Sequence, residues 1–393
     1  MNKNYKKMKK ILFILIAISF AIFSNAQITP EFEIGAKGVF SGNMNINSEE
    51  SSAVSDFSDT QLLLGMKQKL YSNWRSDFVV GLQFPDANSN LGQVFFNNIF
   101  IRLKDKNNII KIGRTTTQNI LNEFPTLRDD DAHRFVYALN PFSDGINTER
   151  DQYANVLEYT RIINQRVLLS LHGENFYDSK NPDYFKLNAL GLSFQYRVPE
   201  SQKWERNVVQ EIGLSFNNYF TDRPGFDKSF DSSVKDLIFS STFNLKPDPL
   251  NFIDLKIQAI QNFGWNEINI INNYYDYTRI KSLSVFGMVR YTNRKFDRPN
   301  YQLSLGGGYK SFSNSSQNSN QYILIGNGFY RLGENLDIGL QYRYIQNEGY
   351  TKNLFGGNQH RIQLAFVYSF EKVFNKYFGE RNSILNLEHG YIR

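Results

Sequence analysis

Residues 301–310 read Tyr-Gln-Leu-Ser-Leu-Gly-Gly-Gly-Tyr-Lys. The odd positions carry Tyr301, Leu303, Leu305 and Tyr309, which are large and mostly apolar. The even positions carry Gln302, Ser304, Gly306, Gly308 and Lys310, which are small or polar. Successive side chains of a strand point to opposite faces, so this segment has one greasy face and one wet face. The pattern recurs along the chain. Leu336, Ile338, Leu340, Tyr342 and Tyr344 alternate with Asp337, Gly339, Gln341 and Arg343. Ile362, Leu364, Phe366, Tyr368 and Phe370 share one face, with Arg361, Gln363 and Ser369 on the other. Upstream, Trp74, Phe78, Val80, Leu82 and Phe84 alternate with Arg75, Asp77, Gly81 and Gln83.

Working outward, the periodicity predicts sixteen strands near 32–41, 57–70, 74–84, 91–103, 109–115, 152–162, 165–176, 186–197, 207–219, 234–245, 250–263, 279–292, 299–311, 321–332, 335–346 and 358–370. Most are longer than the strands of a soluble sheet and match what a tilted strand needs to cross a hydrocarbon layer. Their connections alternate long and short, with 198–206 an intermediate exception. A soluble sandwich has no reason to keep such a rule, whereas outer-membrane barrels have short periplasmic turns and longer external loops. The expected fold is therefore all-β, a transmembrane antiparallel β-barrel of about sixteen strands, set in outer-membrane lipid. Barrels of 16 to 18 strands leave an aqueous channel, whereas smaller ones fill with their own side chains. Aromatics near predicted strand ends, among them Trp74, Tyr196, Tyr219, Tyr291, Tyr301, Tyr309, Tyr342 and Tyr344, suit the two membrane interfaces.

The N-terminus agrees. Lys3, Lys6, Lys7, Lys9 and Lys10 precede an apolar stretch from Ile11 to Phe23, and Ser24-Asn25-Ala26 is a small-x-small cleavage site. Residues 1–26 therefore read as a cleaved signal peptide, 27–370 as the barrel and 371–393 as a C-terminal periplasmic tail. The chain carries 44 basic and 38 acidic residues. Five of the lysines leave with the signal, so 39 basic residues face 38 acidic ones. That balance gives no basic stripe for nucleic acid. The absence of cysteine suits an exported protein held by a closed sheet rather than by disulfides.

The longest connection, 116–151, carries Glu123, Arg128, Asp129, Asp130, Asp131, His133, Arg134, Asp144, Glu149 and Arg150, interleaved with apolar Leu121, Phe124, Leu127, Phe135 and Phe142. Loops of this length usually have a role or are disordered, and the apolar content argues against disorder. The favoured reading folds it into the lumen, its apolar residues gripping the wall and its acids facing the pore. The alternative packs it over the external rim. Just before it stands Lys111-Ile112-Gly113-Arg114. This resembles the general bacterial porins, whose fifth strand often ends in Gly-Arg before a constriction loop. Phosphate-selective porins are a second possible relative. The resemblance implies passive diffusion of small hydrophilic solutes, a homotrimer, and a pore constriction made by Arg114, Glu123, Arg128, Asp129, Asp130, Asp131, His133 and Arg134. Alternation, however, puts Arg114 on the face of Ile110 and Ile112, toward lipid, unless the strand has ended or a bulge re-aims it.

Parity assigns the lumen wall its charges, chiefly Lys67, Arg75, Lys111, Arg166, Arg197, Arg290, Arg343 and Arg361, with Lys37, Lys69, Lys256 and Lys310 beside them. The wall acids are Glu33, Asp77, Glu158, Glu174, Glu211, Asp236, Asp254 and Asp337. Such a mixture makes no ring of one sign, so weak selectivity is expected. Two clusters invite an enzymatic reading. Asp129-Asp130-Asp131 with His133 places carboxylates and an imidazole together, but adjacent residues do not converge on one ion without special backbone geometry. Ser170 and His172 would have to face lipid to act on it, and parity turns them inward. No cofactor, metal or catalytic residue is expected. A substrate-specific uptake barrel, for phosphate or fatty acid, and a non-conducting adhesive or structural barrel stand as alternatives.

Overall fold

The computed structural model describes residues 30–47, 51–56, 60–70, 73–83, 95–115, 124, 126, 135, 154–175, 189–199, 202, 208–220, 233–271, 274–295, 298–313, 318–349, 352, 356–374 and 385. The segment 1–26 lies outside them. Seventeen strands follow one another: β1 (Glu31–Asn47), β2 (Ser51–Asp56), β3 (Gln61–Lys69), β4 (Arg75–Gln83), β5 (Phe95–Lys104), β6 (Asn108–Thr115), β7 (Ala154–Ile163), β8 (Val167–Asn175), β9 (Ala189–Arg197), β10 (Val209–Phe220), β11 (Ser233–Lys246), β12 (Asn251–Ile271), β13 (Tyr274–Lys295), β14 (Arg298–Ser313), β15 (Asn318–Arg331), β16 (Leu336–Gly349) and β17 (Asn358–Phe374). Each pairs antiparallel with its neighbours. β1 joins β17 on one side and β2 followed by β3 on the other. Because β2 and β3 share one place, the ring closes as sixteen staves. Closure leaves no unpaired edge, the condition a sheet must meet to sit in hydrocarbon.

The burial pattern is inverted relative to a soluble sheet. In β9, buried Ala189, Gly191, Ser193 and Gln195 alternate with exposed Leu190, Leu192 and Phe194. Leu305 and Leu340 are 61% and 57% exposed, while Gln302, Gln341 and Gln363 are buried. Apolar side chains thus form the outer surface and polar ones the inner. Interfacial aromatics mark two levels. At the short-turn end, Tyr291 donates to Asn251 Oδ1 at 3.0 Å and Tyr159 to Asn108 Oδ1 at 2.8 Å. At the opposite end, the Tyr309 and Tyr322 rings pack with centroids 5.3 Å apart and planes tilted by 47°, and Tyr309 donates to Asn320 Oδ1.

The strands differ from the periodicity in their reach. The expected loop 264–278 is largely ladder: β12 and β13 stay paired from Asn251↔Asn293 to Ile271↔Tyr274. Likewise β1 runs on to Asn47 and pairs with β2, inside the expected loop 42–56. Beyond the hydrocarbon both faces of a strand are wet, so apolar alternation stops while hydrogen-bonded pairing continues. β17 runs four residues past 370, to Phe374, for the complementary reason: its end pairs with the start of β1, Phe32↔Phe374.

Candidate functional site in the barrel lumen

Three residues of the 116–151 connection are described, and all three are buried: Phe124, Thr126 and Phe135. Phe124 and Phe135 join one apolar cluster with Ile238 of β11, Ile260 of β12, Phe286 and Met288 of β13, and Ile323 and Ile325 of β15. Those wall residues share the inward parity of Asp236, Gln258, Ser284 and Asn327 on the same strands. The loop leaves β6 and returns at β7, yet its anchor centres on β13, nine staves from β6 one way and six from β7 the other. Phe124 and Phe135 therefore sit on the inner wall across the lumen from β6 and β7. Phe124 meets Phe286 edge-on, with ring centroids 4.7 Å apart and planes at 80°. Lys310 Nζ donates to the Phe135 carbonyl at 3.0 Å. Burial of each phenylalanine contributes on the order of 1.5–3 kcal/mol.

The glycines of β14 make the seat. A Cβ at Gly308 would lie 2.8 Å from Phe135 Cε1 and 2.8 Å from Phe286 Cδ2. One at Gly306 would lie 2.8 Å from Phe286 Cζ. Inward glycine thus admits two aromatic rings where any larger residue would push them off.

Most of the wall charges are paired. Lys67 is buried between Glu33 and Glu31, at 2.5 and 3.8 Å. Asp77 receives Arg75 at 2.8 Å and Arg102 at 2.7 Å. Lys111 faces Glu158 at 3.3 Å. Arg290 grips Asp254 with two guanidinium nitrogens, Nε at 2.9 Å, and lies over the Phe252 ring at 5.5 Å. Arg343 and Arg361 stand directly opposite each other in the β16–β17 ladder. Both have inward parity, and like charges so placed repel unless negative charge is near.

Other candidates fall elsewhere. Arg166 is not on the wall: it is the last residue of the three-residue turn 164–166, in which Asn164 and Gln165 take positive φ values of 50° and 59°. That geometry fits a tight hairpin and leaves Arg166 exposed at the rim, donating to Gln202 Oε1 at 2.6 Å. Arg197, the last residue of β9, is exposed at the same rim. Arg114 stays in unbroken register opposite Ile99 and Asn155, both outward and exposed. No bulge in the register re-aims it, so the ladder does not bring it to the pore, although Gly113 beside it has φ 134°. Glu123, Arg128, Asp129, Asp130, Asp131, His133 and Arg134 lie outside the described residues. Ser170 and His172 face the lumen; the Ser170 hydroxyl lies 2.6 Å from that of Thr160, and His172 lies 3.2 Å from Glu174. Two residues, one on the wall and one packed against it, escaped the sequence reading. Arg102 shares the parity of Phe100, a signal the alternation of β5 contained. Leu385 carried none. It is buried against Leu63, Val79 and Phe100, whose side chains point inward.

No family model and no curated protein matches the chain. Solved structures do. The outer-membrane channel DcaP of Acinetobacter baumannii aligns over 88% of this chain and 99% of its own, at 15% identity and TM-score 0.59. The anion-selective porin from Comamonas acidovorans aligns over 87% and 100%, at 11% identity and TM-score 0.57. Salmonella typhi OmpF, in complex with daunomycin, aligns over 86% and 97%, at 9% identity and TM-score 0.58. At such identities the likeness is one of architecture: the chain has the closed, sixteen-stranded barrel fold of outer-membrane porins.

Proposed function

We propose that the protein is an outer-membrane channel for passive diffusion of small hydrophilic solutes, narrowed by the 116–151 connection. The seating of Phe124 and Phe135 on the far inner wall carries this reading. A loop that crosses a sixteen-stranded lumen restricts it without filling it. The flanking polar residues, Glu123 through Arg134, then stand close to the narrowest level. The same reading makes the barrel a non-enzymatic channel. A homotrimer in outer-membrane lipid is the assembly we expect of such a channel.

A second reading, preference for anions, is favoured by Arg343 and Arg361. They stand opposite each other on one stretch of inner wall, which places two guanidinium charges side by side.

Single-channel recording in planar bilayers tests the main reading. Large, ohmic openings are expected, and deletion of 124–142 should enlarge them. A chain that inserts but never conducts would remove the proposal.

A further inference from the structure

Leu385 is 2% exposed and packs on Leu63 of β3, Val79 of β4 and Phe100 of β5. The first two sit on strand faces otherwise made of Gln61, Gly65 and Lys67, and of Asp77 and Gly81. Three apolar side chains in that company are out of place on a wall that faces water. Three buried glycines of the same inward parity surround them. Gly35 and Gly81 flank Leu63 in the ladder, and Gly65 flanks Val79. Small residues around larger apolar ones make a socket on the wall.

Height can be read from the register. Phe32 pairs with both Phe374 and Met66, so the end of β17 is level with Met66. Leu63 lies three residues further up β3, about 10 Å above that level at ~3.3 Å per residue. The eleven steps from Phe374 to Leu385 reach at most roughly 36 Å. The chain is long enough to turn back at the short-turn mouth and enter the barrel.

We infer that the C-terminal segment, 375–393, is a second occupant of the lumen, docked by Leu385 in this socket. It narrows the channel from the wall facing the one that holds the 116–151 loop. The socket spans β3 to β5, whereas the loop's seat spans β11 to β15. The two anchors share no residue, so each can be released separately. The narrowing effect rests on the channel reading; the docking itself does not.

Cysteine cross-linking tests the docking, and the chain offers a background with no cysteine of its own. In the full-length, folded protein, Leu385→Cys combined with Val79→Cys should oxidise to an intramolecular disulfide, seen as a mobility shift lost on reduction. Leu385→Cys with outward-facing Leu340→Cys should not. Absence of the first cross-link, or labelling of Leu385→Cys by a bulky maleimide as fast as Glu334→Cys in an exposed turn, would overturn the proposal. Conductance tests the consequence. Leu385→Asp in the full chain, and a chain ending at Phe374, should each show larger openings than the parent. If the parent conducts and Leu385→Asp conducts equally, the second occupant does not narrow the pore and that part is lost. If no form conducts but the disulfide forms, docking stands and the channel reading fails.

Discussion

A single missing methyl group at position 308 admits the constriction. Gly308→Val would place carbon within van der Waals overlap of both Phe135 and Phe286. The loop, held by fewer contacts than the strand, is what gives way. Larger or noisier openings are expected, measured in planar bilayers. Gly307→Val is the control: its Cβ points to the outer face, where the nearest atoms are the Ile323 carbonyl at 3.4 Å and Leu324 Cδ1 at 4.0 Å. Unchanged conductance in Gly308→Val would show that Phe135 is not a fixed anchor. At the membrane's other margin, Asp105 closes the β5–β6 turn. It accepts from the Asn108 amide side chain at 2.9 and 3.0 Å and from the Asn107 and Asn108 backbone amides at 2.7 and 2.6 Å. The Asn108 side chain foremost, and those amides with it, hold the carboxyl below its ordinary value. A depressed pKa contributes stability that is present above the unfolded value and lost as pH falls through the folded one. Protection of the Asn107 and Asn108 amides against hydrogen exchange should therefore fall in acid, and Asp105→Ala should abolish that pH dependence. The glycine's place inside a strand was legible in sequence. Its purpose was not, because the ring it admits is 173 residues away.

Strands were easier to read than what joins them. Wherever lipid lies on one side and water on the other, alternation is enforced, and sequence parity puts Lys67, Lys111, Arg290 and Arg361 on the inner face where the ladder has them. Outside that layer the constraint vanishes, which hid the upper half of the β12–β13 hairpin and the β1–β2 pairing. Turn chemistry, too, outranked parity at Arg166, where Asn164 and Gln165 supply the left-handed pair that a tight hairpin needs. The facing arginines of β16 and β17 give a test belonging to this level. Replacing Arg343 and Arg361 with Gln should move the zero-current potential in a potassium chloride gradient toward cation preference. Arg166→Gln, at the rim, should move it less. Equal shifts would deny the wall pair a special part in selectivity.

As a body in a membrane, the barrel depends on its inverted surface. Leu305→Arg, on a face 61% exposed, should destabilise the folded barrel by about 2–4 kcal/mol if it lies near the bilayer midplane. Urea titration in lipid vesicles measures this, and no loss of stability would deny that the Leu305 face meets hydrocarbon. Substitution of inward Ser304 by Asn should be mild by comparison. The architecture as a ring of greasy-outside strands was legible throughout. Its internal furnishing was legible only in part, since a strand pattern says nothing about which wall a loop or a terminus will meet.

β12 and β13 run for 21 and 22 residues and stay paired across one register shift between Asn262 and Trp265, well beyond what one crossing uses. On the cell this makes the entrance lopsided. Molecules arriving from outside would meet that projection before they reached the opening.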